Sequence, residues 1–417
     1  MALPFKAAAR IARVPKTNVW TEFTPLAIEH GAVNLGQGFP TFAPDEFVKQ
    51  EAAKAVLADD PMSNQYCRSQ GHPELVKHLQ KRYSQLIGRD ISMAEIEVTN
   101  GTTQALNLAF LATINEGDEM IVIEPYFDIY GYGVEMAHGT VKYVSLKPHG
   151  TTANDWALDM DELRAAITPG KTKGLLFNTP QNAPGKVWSE PEMEQIAAIA
   201  KEHNLIVYAD EVYDRLVFDG CTHKSIASLP GMYERTITMA SCGKTLSTTG
   251  WKIGWVVAPP EICQAVHNAQ TLETFSVCTP LQIAAARCLE QASTNGYFEE
   301  LPARYLARRE QLCAMLNGVG MTPVVPQGSF FVLADISSID ESLYVDTGCG
   351  EDIGKDWHFC RWMTKEIGVT AIPTTAFCRK ESRPIYERYV RFAFCKTEAQ
   401  IGEATKRFEK LKQLVRK

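Results

Sequence analysis

The chain has 417 residues, of which 45% are hydrophobic, and this length suits two domains or one large domain with an appendage. Its formal net charge of −7 argues against nucleic acid as the main partner, because phosphate binding needs a basic surface. No apolar run reaches the roughly 18 residues that a membrane-spanning helix needs. The 11 cysteines are scattered without zinc-ligand spacing, which predicts reduced thiols in an intracellular protein and no metal site.

The N-terminal segment Met1–Lys16 is basic, with Lys6, Arg10, Arg13 and Lys16 and no acidic residue. Basic segments of this kind occur in organelle-targeting helices, so a mitochondrial location is one alternative. The segment lacks serine and a clear cleavage site, which favours a cytoplasmic protein with a basic N-terminal arm.

Short apolar runs alternate with helical patterns such as Glu190–His203 through the middle of the chain. This alternation predicts a mostly parallel sheet that is covered by helices on both faces. Because open α/β sheets bind ligands at the carboxyl ends of their strands, polar residues that follow the runs are candidates for chemistry. The predicted strands are Glu119–Ile123, Lys142–Leu146, Gly174–Phe177, Leu205–Ala209 and Thr236–Ala240.

After about residue 290 the pattern changes, which predicts a second, smaller α+β domain. Gln291–Gly318 is predicted to form a long helix that is broken or kinked near Pro302. We expect an N-terminal arm (residues 1–45) packed on this small domain, a large ligand-binding domain (46–290) and the small domain itself (291–417). Its other predicted elements are strands at Ser329–Asp335 and Tyr389–Phe394, a surface loop at Asp346–Lys355 and a final helix at Thr397–Lys417.

One lysine follows a predicted buried strand directly, in the segment Ser241–Thr245 (SCGKT). Gly243 permits a tight turn, so Lys244 is presented at the end of a strand and not on a solvated helix face. A lysine held among apolar walls and other cations has a lowered pKa and becomes a Schiff-base nucleophile. Lys244 is therefore the candidate nucleophile, although a lone lysine is usually a surface charge.

An acidic pair, Asp210 and Glu211, follows the predicted strand Leu205–Ala209. A carboxylate at the end of a buried strand is costly unless it meets a positive partner, and a pyridinium nitrogen would be such a partner. The alternative is that Asp210 caps the next helix.

Two further segments have features of an anion site. Asn100–Leu106 (NGTTQAL) begins a predicted helix, and its small residues leave backbone N–H groups open where the helix dipole favours a phosphate. Gly250–Trp255 (GWKIGW) supplies Lys252 as a second cation. Many helices begin with glycine and threonine, however, and the tryptophans equally fit a core strand.

Two more candidates lie in the loop Asn178–Lys186 and near the C-terminus. Asn178 and Asn182 can aim side-chain amides at a cofactor oxygen, or they can simply shape the turn. Arg391 is flanked by apolar strand residues and needs an anionic partner, either a substrate carboxylate bound in a bidentate way or an internal salt bridge.

Together and in this order, the motifs resemble those of the fold-type I pyridoxal-phosphate (PLP) aminotransferases over nearly the whole chain. Within that superfamily the chain resembles the kynurenine aminotransferase or glutamine transaminase K group, also called cysteine-conjugate β-lyases. The resemblance implies an α/β fold with a large PLP-binding domain and a smaller α+β domain. The residues that carry it are Asn34–Pro40, Asn64–Tyr66, Glu124–Asp128, Asp210–Tyr213, Ser241–Lys244 and Ala371–Pro373.

The resemblance assigns roles around the cofactor. In such enzymes PLP forms a Schiff base with the lysine that matches Lys244, and the residue that matches Asp210 keeps the pyridine nitrogen protonated, so that the ring acts as an electron sink. Tyr213 and Asn182 would bind the 3′-oxygen, and Tyr126 would stack on the ring unless it is an ordinary core aromatic. The other implied cofactor residues are Gly101, Thr102, Thr103, Asn178, Ser241 and Lys252.

The resemblance also assigns the substrate and the partner. Arg391 would bind the substrate α-carboxylate, and Trp20, Gly38 and Asn182 would border the substrate. Tyr66 would reach the phosphate in a neighbouring subunit, which implies a homodimer with shared active sites.

The implied activity is transamination between an aromatic or sulfur-containing L-amino acid and a 2-oxo acid, with ping-pong kinetics. The freed Lys244 amine would remove the α-proton and return it to the cofactor. Two alternatives stay open, namely a PLP lyase that eliminates a leaving group from cysteine conjugates and a non-catalytic PLP-binding regulator.

Three departures from the family pattern leave the substrate open. The loop reads Asn182-Ala183-Pro184 where the family usually has Asn-Pro. Val277 and Cys278 stand where the mammalian enzymes place an aromatic residue and a histidine, and Thr103 replaces a tyrosine.

Overall fold

A computed structural model of the protein describes residues 6–12, 14, 18–345 and 352–415. No helix within these residues is long and apolar enough to cross a membrane. The strands are β1 (Val33–Asn34), β2 (Ile96–Asn100), β3 (Glu119–Glu124), β4 (Thr140–Lys147), β5 (Ala157–Leu158), β6 (Thr172–Asn178), β7 (Ile206–Asp210), β8 (Thr236–Ser241), β9 (Ile253–Val257), β10 (Thr322–Val324), β11 (Phe331–Asp335), β12 (Val369–Thr370), β13 (Ile372–Pro373) and β14 (Tyr389–Ala393).

Helices cover both faces of the main sheet. They are α1 (Ala9–Ala12), α2 (Val19–Glu29), α3 (Glu46–Val56), α4 (Pro73–Ile87), α5 (Gly101–Thr113), α6 (Ile129–Met136), α7 (Met160–Ala165), α8 (Glu190–Glu202), α9 (Cys242–Thr245), α10 (Pro260–Glu273), α11 (Thr279–Ala292), α12 (Tyr297–Gly318), α13 (Lys355–Trp362), α14 (Arg383–Tyr386) and α15 (Glu398–Val415).

The main sheet contains, among the described residues, eight strands in the order β2-β9-β8-β7-β6-β3-β4-β5. The pairs from β8 through β7, β6 and β3 to β4 are parallel, and β9 runs antiparallel to both β2 and β8. Parallel strands need crossover helices, which bury both sheet faces, and this explains the aliphatic runs. The predicted α/β fold class, with a mostly parallel sheet and a smaller α+β part, is confirmed.

Local sequence signals explain where individual helices begin. Ser189 and Glu192 form a capping box at the start of α8, which then buries Met193, Ile196 and Ala200 on one face. The spacing of these three apolar residues matches the helical period and turns that face towards the core.

The smaller sheet has the order β10-β11-β14-β13 and is antiparallel. Arg391 lies at its centre, opposite Leu333 on one side and Ile372 on the other. The N-terminal helix α2 contacts β13 at the edge of this sheet and also packs on helix α13, where Phe23 contacts Trp357 and Glu22 pairs with Arg361. The division at residues 45 and 290 remains a prediction.

The predicted break in the long C-terminal helix is in the wrong place. α12 is continuous through Pro302, and the preceding gap lies between the end of α11 at Ala292 and Tyr297. Gly296 in this gap has a left-handed φ of 82°, which separates the two helices. The prediction considers only the helix-breaking effect of proline and therefore misses this glycine. Arg13, Lys16 and the Asp346–Glu351 part of the predicted loop lie outside the described residues.

Ile121 tests the importance of the sheet core for stability. It lies in the middle of β3 and is completely buried. Replacing Ile121 by alanine should lower the free energy of unfolding by about 2–5 kcal/mol, since a large-to-small core substitution loses burial and leaves a cavity. Ile28→Ala, at a residue that is 77% exposed, is the control and should change it by less than about 0.5 kcal/mol. Equal denaturation midpoints in urea for the two variants would contradict this view of the core.

Candidate active site

A cavity of about 450 Å³ opens at the carboxyl ends of the parallel strands. The register of the sheet explains its position, because Asn178 pairs with Asp210 and Asp210 pairs with Met239 on the next strand. The residues that follow β7 and β8 therefore meet at one edge, as expected for an open α/β sheet. The predicted site residues that line this cavity are Trp20, Gly38, Gly101, Thr102, Thr103, Asn182, Asp210, Tyr213, Ser241, Lys244, Lys252 and Arg391.

Lys244 lies in the short helix α9, directly after β8. Its Nζ donates a hydrogen bond to the backbone oxygen of Gly38 at 2.8 Å and lies 5.0 Å from the centre of the Phe330 ring. Burial lowers the pKa of Lys244 to about 8, because desolvation penalises the charged amine. At neutral pH the neutral fraction of this amine is therefore much larger than that of an ordinary lysine, which is the property that a nucleophilic lysine requires.

Asp210 ends β7 inside the cavity and is only 4% exposed. Its carboxylate accepts hydrogen bonds from the Tyr130 hydroxyl at 2.7 Å and from the backbone N–H of Val212 at 3.2 Å. Burial raises the pKa of Asp210 to about 6, and these two hydrogen bonds and the charge of Lys244 oppose the rise. A cationic group beside this carboxylate would stabilise its charged form.

The start of α5 forms the opposite end of the cavity. Gly101 has a φ of 73°, and a Cβ at this position would lie 3.2 Å from Nζ of Lys252. A Cβ on Gly254 would lie 2.6 Å from the carbonyl carbon of Gly101. Both glycines therefore allow a lysine and a helix N-terminus to come together, which is an arrangement that favours a phosphate group.

Arg391 is 1% exposed, and no ion pair to it is present within the described ranges 6–12, 14, 18–345 and 352–415. It donates hydrogen bonds to Oδ1 of Asn182 at 3.0 Å and to the backbone oxygen of Gly36 at 3.2 Å. Burial lowers the pKa of Arg391 to about 10. A buried guanidinium without a carboxylate partner is prepared to receive one from a ligand.

Aromatic side chains surround this arginine. Its Cζ lies 4.1 Å from the Phe331 ring centre and 4.5 Å from that of Phe377. Trp20 lies 5.5 Å away, and its indole N–H donates to Oδ2 of Asp128 at 2.8 Å. The rings exclude water and hold the guanidinium in place.

The prediction for Tyr126 needs correction. Its ring stacks on Tyr143 at 5.3 Å and is not among the side chains that line the cavity. Phe127, the next residue, lines the cavity instead. The regular alternation of the strand ends at Glu124, so the sequence period could not show which ring of the following loop faces the ligand.

Asn178 also differs from the prediction, since it is not among the residues that line the cavity. Its amide donates to the backbone oxygen of Asp210 at 2.9 Å, and its Oδ1 accepts from the backbone N–H of Asn182 at 2.7 Å. Asn178 therefore holds two cavity residues in place from behind, and we no longer expect it to contact a cofactor.

Tyr66 lies away from the cavity within this chain. It is 75% exposed and packs edge-on against Phe275 at 5.2 Å. Nearby, Val277 is buried and Cys278 is exposed, and neither residue lines the cavity.

The site geometry agrees with the comparison to known proteins. Residues 31–408 match the family model of aminotransferase class I and II. The chain belongs to this family. It is therefore an enzyme of the aminotransferase type, in a family whose members depend on PLP, and the resemblance inferred from its motifs is confirmed.

Individual relatives span almost the whole chain. The chain is 43% identical to the kynurenine–oxoglutarate transaminase of Dictyostelium discoideum, over 95% of this chain and 94% of that protein. The solved structure of Bna3p, a candidate kynurenine aminotransferase of Saccharomyces cerevisiae, superimposes with a TM-score of 0.92 at 32% identity, covering 98% of this chain and 99% of that one. YbdL of Escherichia coli, which has a methionine aminotransferase function, gives a TM-score of 0.87 at 30% identity, covering 98% and 100%.

The residues of the cavity fit PLP. The hydroxyl oxygen of Thr102 is buried and has no hydrogen-bond partner within the described chain, and it lies at the start of α5 where a phosphate would be held. Lys252 and the close approach of Gly101 and Gly254 supply the rest of an anion cradle. Asp210 and Lys244 provide the acid and the amine that this aminotransferase cofactor requires.

The lowered pKa of Lys244 can be measured directly. In protein freed of PLP, labelling of Lys244 by an amine reagent should reach half its maximal rate at about pH 8. Asp210→Asn should move this midpoint to lower pH, since the carboxylate charge raises the pKa of Lys244. The measurement is peptide mapping of labelled protein across pH. A midpoint near the ordinary lysine value of about 10.4 would contradict this account of the site.

Proposed function

We propose that this chain binds PLP covalently through Lys244 and transfers the amino group of an aromatic or sulfur-containing L-amino acid to a 2-oxo acid. The observation that carries the proposal is the position of Lys244 and Asp210 in one buried cavity with Arg391, which has no ion-pair partner among the described residues. Such a cavity suits a ligand that brings its own carboxylate and phosphate.

Bound PLP would supply an electron sink for the pair released from the substrate α-carbon. Asp210 would hold a proton at the pyridine nitrogen through its buried carboxylate. Lys244 Nζ would take the α-proton and deliver it again within the cavity, a role that the lowered pKa of this amine supports.

The remaining residues would bind and orient. Lys252, Ser241 and the start of α5, including Thr102 and Thr103, would hold the phosphate. We assign ring stacking to Phe127 in place of Tyr126, and 3′-oxygen binding to Tyr213 and Asn182.

Arg391 and Asn182 would bind the α-carboxylate. Asn182 already accepts a hydrogen bond from Arg391, so its side chain fixes the guanidinium where a carboxylate would meet it. Gly38 would border the substrate on the side of Lys244, because the backbone oxygen of Gly38 accepts a hydrogen bond from the Lys244 amine.

The side-chain end of the cavity supports the proposed substrate class. Trp20, Phe39, Tyr132 and Phe331 line the same cavity as Arg391, and they favour a large apolar or aromatic side chain. The names of the relatives point the same way, since they are kynurenine transaminases and a methionine aminotransferase. None of these names favours the β-lyase alternative or the non-catalytic alternative.

We also propose that the chain works as a homodimer. Large apolar side chains are exposed close together at Tyr66 and Phe275, and Leu272 and Met62 are exposed in the same chain segments. Exposed apolar patches of this kind mark interaction sites. Tyr66 would reach the phosphate in the neighbouring subunit, which would account for its absence from the cavity of its own chain. A cytoplasmic location stays a prediction.

Arg391→Lys tests the proposed function. The visible absorbance of the PLP form should disappear when an amino acid such as methionine is added and return with a 2-oxo acid. Arg391→Lys should lower kcat/KM for methionine roughly 100-fold, because lysine cannot bind a carboxylate in a bidentate way. The measurement is stopped-flow absorbance with each amino acid in turn.

Arg388→Lys is the matched control, since Arg388 lies just before β14 and its side chain is 55% exposed. It should retain the wild-type rate. The proposal would be refuted if both variants lost kcat/KM equally. It would also be refuted if the wild-type protein accepted an amino group from none of the amino acids tested.

A further inference from the structure

Glu124 is a fully buried acid that the proposed mechanism does not use. It is the last residue of β3 and immediately precedes the loop that carries Phe127 and Asp128 into the cavity. Burial raises the pKa of Glu124, and hydrogen bonds from Ser382 and Arg379 oppose the rise. A buried acid is costly unless its oxygens are satisfied, so its partners should explain its presence.

The partners of Glu124 come from the main sheet and from the segment that precedes β14 of the smaller sheet. Ser145 on β4 donates to Oε2 at 3.1 Å, which is a contact within the main sheet. Ser382, from the segment beside the smaller sheet, donates to the same oxygen at 2.6 Å. The backbone N–H of Arg379 donates to Oε1, and the Nε of the same residue lies 3.8 Å from Oε2. The carboxylate therefore joins the end of β3 to residues 379–382.

Backbone contacts reinforce the same junction. The hydroxyl of Tyr386 shares its one proton between the backbone oxygen of Glu124 at 3.0 Å and that of Leu146 at 2.9 Å. The backbone N–H of Tyr126 donates to the backbone oxygen of Phe377 at 2.9 Å. Residues 377–386, which we call the clamp segment, are thus held to the ends of β3 and β4 at several points.

The first residue of the clamp segment contacts Arg391. Phe377 at its start is 1% exposed, and its ring centre lies 4.5 Å from Cζ of Arg391. The same ring lies 6.1 Å from Trp20, which borders the cavity. A displacement of the clamp segment would move the wall against which the guanidinium rests.

We propose that Glu124 is a positioning residue for substrate binding, because its carboxylate fixes the clamp segment and so holds Phe377 against Arg391. The proposal rests on the proposed function in one respect, namely that Arg391 binds the substrate α-carboxylate. Glu124 itself touches no ligand. Its effect should therefore be on substrate affinity and not on the covalent attachment of PLP or the maximal rate.

Glu124→Leu tests the proposal, since leucine has similar volume and accepts no hydrogen bond. In the PLP-loaded enzyme, the half-saturating methionine concentration of the half-reaction should rise about 10-fold, as expected for the loss of one hydrogen bond that holds the clamp segment. The maximal rate and the absorbance spectrum should stay within about twofold of wild type, since chemistry at Lys244 is not touched. Glu124→Gln should restore wild-type affinity, because its amide can accept from Arg379 and donate to Ser382.

Glu119→Leu is the matched control. Glu119 is the first residue of β3, so it lies at the opposite end of the strand from the cavity. It is partly buried and lies near Lys142. It should leave the half-saturating concentration unchanged. If Glu124→Leu does not yield folded protein, Ser382→Ala removes the same link from the clamp side and should raise the half-saturating concentration about threefold.

Three results would overturn the proposal. Glu124→Leu and Glu119→Leu could raise the half-saturating concentration equally, or Glu124→Gln could fail to rescue it. Glu124→Leu and Ser382→Ala could also lower only the denaturation midpoint, which would show a purely structural role. Arg391→Lys tells failure of the Glu124 proposal apart from failure of the proposed function. If Arg391 binds the substrate, Arg391→Lys must raise the half-saturating concentration, whatever Glu124→Leu does.

Discussion

Uncompensated positive charge is the constraint on which the site depends. Lys244, Lys252 and Arg391 line one cavity, and the charged residues that face them there, within the described chain, are Asp128 and Asp210. Burial raises the pKa of both carboxyl groups and lowers the pKa of Lys244 and Arg391. A cavity with this balance is unfavourable when empty and favours ligands that carry anionic groups. The phosphate of PLP and the carboxylate of an amino acid meet that need.

The fold brings these charges together from distant parts of the chain. Parallel strands place Asp210 and Lys244 at one edge of the main sheet. The smaller sheet carries Arg391, and the segment before β2 contributes the Gly38 oxygen that holds the Lys244 amine. The site therefore lies where the two sheets and the N-terminal region meet, and contacts that fix their relative position also fix the chemistry. Glu124 belongs to such a set of contacts.

The sequence alone could predict the parts of the site that depend on local order. A lysine after a buried strand and a glycine, and an acid at the end of another strand, both follow from short segments, and the structure brings Lys244 and Asp210 into one cavity. The sequence could not show which ring after β3 faces the ligand: the motif predicts Tyr126, and Phe127 lines the cavity instead. Glu124 was part of a recognised motif, but its partners Arg379 and Ser382 are remote in sequence, and no local pattern reveals such a contact. The break before α12 depends on the backbone of Gly296, not on the more conspicuous Pro302.

Covalent attachment of PLP to Lys244 is the central claim, and one measurement tests it most directly. The purified enzyme is reduced with borohydride, digested, and its peptides are examined by mass spectrometry. The account predicts a single pyridoxyl group on the peptide that contains Lys244, and none on Lys252 in the same cavity. A pyridoxyl group on any other lysine, or no modified peptide from protein that has been saturated with PLP, would contradict it.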